Sequence, residues 1–562
     1  MIIDKLKETM RNFDEQFLKD LLGELKESLI EWSINRNMMT KNNMIEIVIS
    51  VYGLDLFKND DFRFKYFSSL DNITIIKKFL DRAGVVLNID EQLILADKAK
   101  EIPFQENAAY KYLIYDYFGV TDYKFQLSYN ESEVDTIDRT GGKFYELFDY
   151  QYMIKQQVIN DLENKDKRLY KILVHMPTGT GKTKTTMHII AHYLNFISKG
   201  KGTVVWIAHS DELLKQAYET FVSVWSHLAL FEINVYKGWV SFPKGICNGI
   251  LFTSIQALQK KINKPIFDEL QKKASLIIFD EVHKSGASKY KACIDKLMLK
   301  ENEYGKKFIG LTATPGRTTE ISHQNVLFKN DFDHFIGIDV DKINSISLTE
   351  NEARNYQGSN DPIKYFQEHN YLSHIVAEPL KFELDQATYE QLRKEFIGSK
   401  ADYSEDLLKK IGLNKSRNMI IVEKLQELNR NNIPTIVFAC SVQHAKMLSA
   451  FLRMINIDNS LVTGDIGSYE RSRAISDFKN GRVNIIINYE ILTTGFDSTN
   501  IKCVFITRPT KSVILYSQMI GRGLRGVRMG GNAECKLIDL QDNIEKFTNE
   551  CESFIHFDKY WR

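Results

Sequence analysis

The amino-acid sequence predicts an α/β protein in which two parallel-sheet lobes follow one another after a mainly helical N-terminal region. From about residue 136, short apolar runs alternate with helical stretches, a pattern typical of parallel strands joined by crossover helices. A second series of such runs begins near residue 435, after a polar interval. The chain of 562 residues has room for roughly three or four domains of about 100–200 residues each.

Residues 1–135 are predicted to form an N-terminal helical accessory domain. Leucines recur there at the spacing of one helix face, namely Leu18, Leu21, Leu22, Leu25 and Leu29. Residues 109–125, AYKYLIYDYFGVTDYKF, are dense in tyrosine and phenylalanine. This segment predicts either a base-stacking or partner-binding surface or, as the favoured interpretation, the core of a small helical domain.

Residues 136–320 are predicted to form the first lobe and residues 415–545 the second. The first lobe contains five apolar runs that predict strands, at 171–176, 204–209, 249–254, 275–280 and 307–313. The second contains five more, at 435–439, 459–464, 483–488, 502–507 and 535–540. Between the lobes, residues 321–414 predict a linker or coupling region with helices and an extended stretch, AEPLKFELD. Residues 546–562 are predicted to be a C-terminal tail.

Composition restricts the class of protein but not its partners. The 74 basic and 73 acidic residues give a formal net charge of +1, so bulk charge neither predicts nor excludes nucleic-acid binding. Six cysteines without zinc-site spacing indicate free thiols in a reducing cytoplasm. The N-terminus lacks the layout of a secretory signal, and no apolar run approaches the roughly 20 residues of a membrane span. We therefore expect a cytoplasmic protein that does not bind membranes.

The segment MPTGTGKT at 176–183 stands between an apolar run and a helical stretch, as a phosphate-binding loop requires. Its glycines allow the backbone to fold tightly around phosphate oxygens, and amides at the helix start add partial positive charge. Lys182 can reach the outer phosphates, and Thr183 can offer its hydroxyl to magnesium. Met176 stands where the common pattern has Gly or Ala. The predicted ATP-binding residues of the loop are Pro177, Thr178, Gly179, Thr180, Gly181, Lys182 and Thr183.

The segment DEVH at 280–283 follows the apolar run of a predicted strand. A parallel strand delivers such side chains to the carboxyl edge of its sheet, where ligands bind. Asp280 would hold magnesium, and Glu281 would act as the general base toward an attacking water. His283 would couple the nucleotide site to other motifs. An acidic pair at a strand end is also commonly a helix cap, but its position about 100 residues after the loop favours the catalytic interpretation.

Seven further segments, together with the loop and the acidic pair, resemble the motifs of the superfamily-two helicases and translocases, in the same order and over roughly residues 144–545. They are LFDYQ at 147–151, IAHSDELLKQA at 207–217, TSIQAL at 253–258, LTATPGR at 311–317, VFACSVQHAKML at 437–448, LTTGFDSTN at 492–500 and QMIGRGLR at 518–525. The resemblance implies two RecA-like lobes that hydrolyse ATP in the cleft between them. It also implies ATP and Mg²⁺ as cofactors and a nucleic acid as partner.

The resemblance assigns a role to each matching residue of these segments. Gln151 would contact the base edge of ATP, and Gly495 and Asp497 would face the nucleotide. Thr312 and Thr314 would couple the ATP site to the track. The residues expected to contact the bound strand are His209, Thr253, Gln256 and Thr494.

The last of these segments carries the predicted arginine finger. By resemblance, Arg522 and Arg525 approach the γ-phosphate across the cleft, with Arg525 favoured as the finger, and Gln518 orients water or contacts nucleotide. The arginines are three residues apart, a spacing that places both on one face of a helix. Guanidinium groups suit phosphate because they are permanently charged and forked.

The segments DEVH, TATPGR and QMIGRGLR are more similar to the motors of type I and type III restriction enzymes and related repair helicases than to DEAD-box RNA-remodelling proteins. NKSRNMIIVEKLQEL at 414–428 agrees with that subgroup. DNA is therefore the favoured track, and repair or defence against foreign DNA the favoured context. Two alternatives stay open. The track is RNA, or the chain is an ATP-switched sensor or assembly subunit that docks an effector or nuclease through residues 1–135.

Overall fold

The computed structural model describes residues 2–23, 25–32, 39–105, 107–120, 132–139, 146–163, 169–282, 288–299, 305–313, 332–339, 343, 362–397, 402–493, 496 and 498–542. The predictions about residues 546–562, and about His283, Thr314, Thr494, Gly495 and Asp497, fall outside these ranges. No helix within the ranges combines the length and the apolar content of a membrane span.

The N-terminal region is helical, as predicted. Side-chain oxygens of Asp14, Thr40 and Asn59 accept backbone amide hydrogens, which fixes where three of its helices begin. The predicted leucine face is divided between two helices, and four of its five leucines are buried. The helices are α1 (Ile2–Met10), α2 (Glu15–Leu21), α3 (Leu25–Trp32), α4 (Lys41–Tyr52), α5 (Asp60–Ser68), α6 (Ile73–Arg82), α7 (Gln92–Lys100) and α8 (Ala108–Lys111).

The aromatic segment of this region is part of its core. Tyr110 and Phe118 are fully buried. The ring of Tyr110 packs edge-on against those of Phe104 and Phe79, with centroids 4.9 and 5.1 Å away. The core interpretation is therefore confirmed for the part of the segment that the structure describes.

Lobe 1 contains a sheet of eight strands, and all five predicted strands are among them. The strand order is β1-β4-β5-β3-β6-β7-β2-β8, and every neighbouring pair is parallel except β1 and β4. The strands are β1 (Val134–Ile137), β2 (Leu169–His175), β3 (Thr203–Ala208), β4 (Ile233–Lys237), β5 (Gly249–Ser254), β6 (Ala274–Phe279), β7 (Lys306–Thr312) and β8 (His334–Ile336). The helices are α9 (Asp149–Glu163), α10 (Lys182–His192), α11 (Asp211–Leu228), α12 (Ile255–Lys261), α13 (Pro265–Lys273) and α14 (Ser288–Met298).

Lobe 2 contains an all-parallel sheet of six strands in the order β11-β12-β10-β13-β14-β9. The strands are β9 (His374–Phe382), β10 (Thr435–Phe438), β11 (Ser460–Val462), β12 (Ile485–Asn488), β13 (Cys503–Ile506) and β14 (Glu534–Asp542). The helices are α16 (Gln386–Ile397), α17 (Glu405–Gly412), α18 (Lys415–Arg430), α19 (Val442–Met454), α20 (Ser468–Lys479) and α21 (Val513–Ile520), and the preceding helix α15 (Pro362–Glu368) packs into the core of lobe 1. The predicted tandem of two parallel-sheet lobes is confirmed.

Strand β9 lies within residues 321–414, the range that predicted a linker. It pairs along its whole length with β14 and forms an edge of the second sheet. Pro379, which has no amide hydrogen, is tolerated because β9 is an edge strand. The chain between the lobes therefore contributes a strand to lobe 2 before it reaches the helices α16 and α17.

The N-terminal domain packs against lobe 2 and shares a continuous apolar core with it, in which α4 lies against α19. Two backbone amides complete the contact. The amide of Gly467 donates to Asp55 Oδ2 at 2.9 Å, and that of Leu54 donates to Glu470 Oε1 at 3.0 Å. Burial raises the pKa of the Glu470 carboxyl above its ordinary value. The accessory domain is thus attached to the lobe that carries the arginines.

Candidate active site

The phosphate-binding loop joins the end of β2 to the start of α10. Gly181 caps α10 with a backbone φ of +79°, a conformation that glycine adopts without steric cost. A Cβ atom built on Gly181 would lie 2.4 Å from Gln151 Nε2, so the close approach also requires glycine. The first amides of α10 are left to point toward a bound anion.

Two side chains of the segment before the loop hold its backbone in place. The Tyr150 hydroxyl and Gln151 Nε2 both donate to the carbonyl oxygen of Thr180, at 2.9 and 3.0 Å. Gln151 is fully buried and its Oε1 accepts the amide hydrogen of Phe148 at 3.1 Å. Burial raises the pKa of Tyr150 well above its ordinary value, so the hydroxyl stays a donor. The contact of Gln151 with a base stays a prediction, and the role of Tyr150 was not predicted.

The lysine of the loop meets the acidic pair at the end of β6. Lys182 Nζ lies 3.0 Å from Glu281 Oε1 and 3.9 Å from Asp280 Oδ1. The three side chains are only 11%, 15% and 7% exposed, in the order Lys182, Glu281 and Asp280. The Glu281 amide donates to Asp280 Oδ1 at 3.0 Å. The structure therefore brings together the three charged residues that the sequence predicted for one site.

The end of β7 lies directly beside the start of the loop. The Met176 amide donates to the carbonyl oxygen of Thr312 at 3.1 Å. His175 Nε2 lies 3.2 Å from the carbonyl oxygen of Ala313. A displacement of the loop would therefore be transmitted to Thr312, which sequence analysis expected to couple the ATP site to the track.

Lobe 2 contacts the loop through α21 and the turn that follows it. A Cβ atom built on Gly521 would lie 2.4 Å from Thr178 Cγ2, so the backbone of lobe 2 approaches the loop too closely for a side chain. A Cβ atom built on Gly179 would lie 3.9 Å from Arg525 Cγ. Arg525 and the phosphate loop are thus neighbours across the interface between the lobes.

The arginines do not share a helix face, and the expectation that they would is wrong. Helix α21 ends at Ile520, and the backbone of Arg525 forms an isolated antiparallel bridge with Leu372. Three glycines at positions 521, 523 and 526 favour a turn over a continued helix. Arg522 donates from Nη1 to the carbonyl oxygen of Phe496 at 2.5 Å and from Nη2 to that of Thr493 at 2.9 Å.

Gln518 lies on α21 and is 5% exposed. Its Nε2 atom is buried and has no hydrogen-bond partner among the described residues. A buried amide donor without a partner costs about 1–3 kcal/mol. A polar ligand that accepts a hydrogen bond from Gln518 Nε2 would therefore remove this cost.

Three of the residues predicted to contact a nucleic-acid strand, His209, Thr253 and Gln256, lie at the carboxyl edge of the lobe 1 sheet. Ser210 caps α11 and Ser254 caps α12, at the ends of the neighbouring strands β3 and β5. His209 and Gln256 are close together, with Gln256 Nε2 3.4 Å from the carbonyl oxygen of His209. Thr253 is fully buried. Two adjacent helix N-termini with their backbone amides suit the phosphates of a strand.

Both lobes match models of known protein families. Residues 144–317 match the res subunit of type III restriction enzymes, and residues 417–527 match the conserved C-terminal domain of helicases. Together the two ranges cover just over half of the chain.

Curated relatives match the same region at low identity. IRC3 of Saccharomyces cerevisiae, named as an ATP-dependent helicase, is 26% identical over 386 residues, which are 67% of this chain and 49% of that protein. The mitochondrial ATP-dependent helicase irc3 of Schizosaccharomyces pombe is 26% identical over 390 residues, 68% of this chain and 55% of that protein. The chain therefore spans about half of the length of these relatives.

Among solved structures, Dbp5 of Saccharomyces cerevisiae bound to RNA and ADP BeF3 covers 73% of this chain and 87% of its own, with 14% identity and a TM-score of 0.42. The Hef helicase domain of Pyrococcus furiosus covers 71% of this chain and 98% of its own, with 16% identity and a TM-score of 0.40. Because family models match one lobe each, in the order that the motifs predicted, the chain belongs to the superfamily-two helicases, with two RecA-like lobes, and is related to the motors of type III restriction enzymes.

Proposed function

We propose that the chain is an ATP-dependent nucleic-acid motor, an ATPase that nucleic acid stimulates and that translocates along a strand or separates two. The observation that supports this most directly is the buried contact of Lys182 with Glu281 at 3.0 Å, beside a loop that lobe 2 touches through Gly521. An ATP site completed by two lobes can convert hydrolysis into relative movement of the lobes. That movement is what a motor requires.

In the proposed reaction, the loop amides and Lys182 bind the outer phosphates of ATP. Glu281 accepts the proton of the attacking water. Arg525 approaches the γ-phosphate from lobe 2 and stabilises the charge that develops there. Arg522 is proposed to have a different role. Its bonds to the backbone of Thr493 and Phe496 connect the arginine turn to the segment expected to face the track.

Magnesium fits the donors that the chain offers. The Thr183 hydroxyl and the Asp280 carboxylate are oxygen ligands of the kind that Mg²⁺ prefers beside phosphate oxygens. The ion would neutralise charge on the phosphates during transfer. Asp280 is only 7% exposed, and its other neighbours, Lys182 and the Glu281 amide, hold its carboxylate in a defined orientation.

Binding to the track is proposed to be directed at the sugar–phosphate backbone. The N-termini of α11 and α12 lie at one edge of lobe 1, where the side chain of Gln256 is exposed, whereas that of Thr253 is buried behind the edge. Such contacts do not depend on base sequence and weaken with salt. They also explain how a chain of net charge +1 would hold a polyanion.

We favour DNA as the track because the motifs are most similar to those of restriction-enzyme motors, and the match of residues 144–317 to the res subunit supports the same choice. Repair or defence against foreign DNA is the context that follows.

ATP hydrolysis by the full chain should be measured with single-stranded DNA, duplex DNA and RNA at equal nucleotide concentration. Stimulation by DNA is expected, and stimulation by RNA alone would reverse the choice.

Substitutions in the loop and the acidic pair test the ATP site. Lys182→Ala is expected to abolish ATP turnover, and Glu281→Gln is expected to bind ATP without hydrolysing it. Phosphate release and equilibrium binding of a fluorescent ATP analogue distinguish the two effects. The matched control is Lys502→Ala, since Lys502 is exposed and lies immediately before the first residue of β13. Turnover at the parental rate in either site variant would contradict the assignment.

A sensor or assembly subunit is the second candidate, and the attachment of the N-terminal domain to lobe 2 favours it. A partner held by residues 1–135 would move with the lobe whenever ATP closes the cleft. This function would give ATP-dependent binding of an effector with negligible strand separation. A strand-displacement assay on the full chain, run beside the ATPase assay, distinguishes the two candidates.

We infer a cytoplasmic location from the thiols. The cysteines in the described residues are free, as in a reducing compartment. The Schizosaccharomyces pombe relative is named mitochondrial. Fractionation of cells that express the full chain would decide between the two compartments.

A further inference from the structure

A short segment between the lobes, residues 362–373, lies beside the phosphate loop. It consists of α15 and the turn that leads into β9, and we call it the interlobe strap. The side chain of Tyr371, in this turn, packs into lobe 1. Its ring is 3% exposed, and its centroid lies 4.9 Å from that of Phe148 and 5.0 Å from that of Tyr150. Phe366 of α15 completes the cluster, 4.8 Å from Tyr150.

The backbone around Tyr371 is bonded to lobe 2 instead. Its carbonyl oxygen accepts the amide hydrogen of Gly526 at 3.0 Å. The next residue, Leu372, forms the isolated bridge with Arg525. The Ser373 hydroxyl donates to the carbonyl oxygen of Arg525 at 2.6 Å. Tyr371 therefore connects the two lobes, because its ring packs against Phe148 and Tyr150 of lobe 1 and its carbonyl oxygen is bonded to lobe 2.

Both ends of this connection reach the proposed catalytic groups. On the lobe 1 side, the Tyr150 hydroxyl donates to the carbonyl oxygen of Thr180 in the phosphate loop. On the lobe 2 side, Arg528 Nη1 donates to the Tyr371 hydroxyl at 2.9 Å, three residues after Arg525. Leu372 Cδ2 lies 3.6 Å from a Cβ atom built on Gly179, so the strap also touches the loop itself.

We propose that Tyr371 is a positioning residue for Arg525. Its rigid ring, held by Phe148 and Tyr150, and its backbone, held by the arginine turn, set the distance between the arginine and the phosphate loop. The inference rests on the proposed ATPase function. Because an arginine finger accelerates phosphoryl transfer by about 10³–10⁵ only when it is in place, a small displacement of the turn has a large effect on the rate.

The proposal predicts a specific kinetic effect of removing the ring. Tyr371→Ala is expected to lower kcat for nucleic-acid-stimulated ATP hydrolysis by about 10–100-fold, the loss typical of a misplaced catalytic group. The Michaelis constant for ATP should change much less, since the loop amides and Lys182 are untouched. Val376→Ala is the matched control, because Val376 lies a few residues further along on β9 and is 45% exposed. It should keep the parental rate.

A double-mutant cycle separates positioning from a merely structural role. If Tyr371 acts through Arg525, Tyr371→Ala should change kcat by less than about twofold in an Arg525→Ala background. A loss of folded protein would instead lower kcat by the same factor in both backgrounds, and that result would overturn the proposal. An unchanged kcat for Tyr371→Ala in the parental background would overturn it as well.

Two milder variants guard against misfolding of Tyr371→Ala. Tyr371→Phe keeps the ring contacts and Arg528→Ala alters only an exposed side chain, and each removes the hydroxyl–guanidinium bond. Both are expected to lower kcat by about two- to tenfold, the effect of one hydrogen bond. Parental kcat in both variants would contradict the proposed role of the hydrogen bond between Arg528 and the Tyr371 hydroxyl. Failure of the proposed function itself is distinguishable, because it would appear as Lys182→Ala retaining the parental turnover.

Discussion

Gly521 is a residue of lobe 2 whose backbone closely approaches the phosphate loop of lobe 1. Gly521→Ala would place a Cβ atom 2.4 Å from Thr178 Cγ2 and 3.1 Å from the carbonyl oxygen of Ser517, so the turn must move away from the loop. We expect kcat for ATP hydrolysis to fall by at least about tenfold, as overpacking strain of about 1–3 kcal/mol displaces the arginine turn. Steady-state ATPase assays with and without nucleic acid measure the effect.

The control for this variant is Gly245→Ala. Gly245 has open space where its Cβ atom would lie and a backbone conformation that alanine adopts. It should retain parental turnover and thermal stability. An equal fall in kcat in the two variants would mean that the contact between Gly521 and Thr178 does not position the arginine turn.

Sequence alone predicted the charged residues of the site because their signals are local. Lys182 lies in a loop motif, and Asp280 and Glu281 follow an apolar strand, so each could be recognised within ten residues of chain. Tyr150 and Tyr371 could not, because they are 221 positions apart and meet only when the lobes assemble. Glu281 also has a backbone φ of +54°, a strained conformation of the kind found at functional sites, which composition does not reveal.

At the scale of elements, the strands that form continuous apolar runs were predictable, among them the edge strand β11, and the more exposed or irregular strands were not. Strands such as β3 and β6 are buried at every position, so they appear in the sequence as continuous apolar runs. Strand β9 has no fully buried position and contains a proline, so it was recognised only as an extended stretch. The short strands β1, β4 and β8 were missed. Their pairing depends on neighbours that are distant in sequence.

The contact between α20 and the N-terminal domain predicts a pH dependence of stability. Burial raises the pKa of Glu470 in the folded chain, so the protonated carboxyl is the form that folding favours. The stabilisation is complete below the ordinary pKa of glutamate and is lost as pH rises through the higher folded value. Glu470→Gln, which keeps an acceptor for the Leu54 amide, should therefore raise Tm at neutral pH by about 1–2 °C for each kcal/mol removed.

Thermal unfolding monitored by circular dichroism between pH 4 and pH 8 checks this expectation. The difference in Tm between variant and parent should shrink as the pH falls. Glu423→Gln on α18 is the control, since Glu423 is exposed. A Glu470→Gln variant that is less stable than the parent at neutral pH would show that the ion pair of Glu470 with Arg473 outweighs the cost of burial.

At the scale of the whole molecule, the N-terminal domain and lobe 2 share one apolar core and should unfold together. Deletion of residues 1–120 would uncover the side of α19 that packs against α3 and α4. We expect the truncated chain to aggregate or to unfold at a Tm at least several degrees lower, because exposed apolar area costs about 25 cal/mol per Å². Scanning calorimetry and light scattering measure both effects, and an unchanged Tm would mean that the domain is an independent attachment.

Strand β9 has a consequence for how the second lobe can be studied in isolation. The helicase C-terminal match begins at residue 417, yet the sheet of that lobe needs residues 374–382 to cover the side of β14. A fragment that starts at the family boundary would leave the β9-facing edge of β14 unpaired along nine residues, a template for pairing with other chains. A fragment of the second lobe should therefore begin upstream of the strap's turn, so that β9 is included, and it should be produced together with residues 1–120, which cover α19.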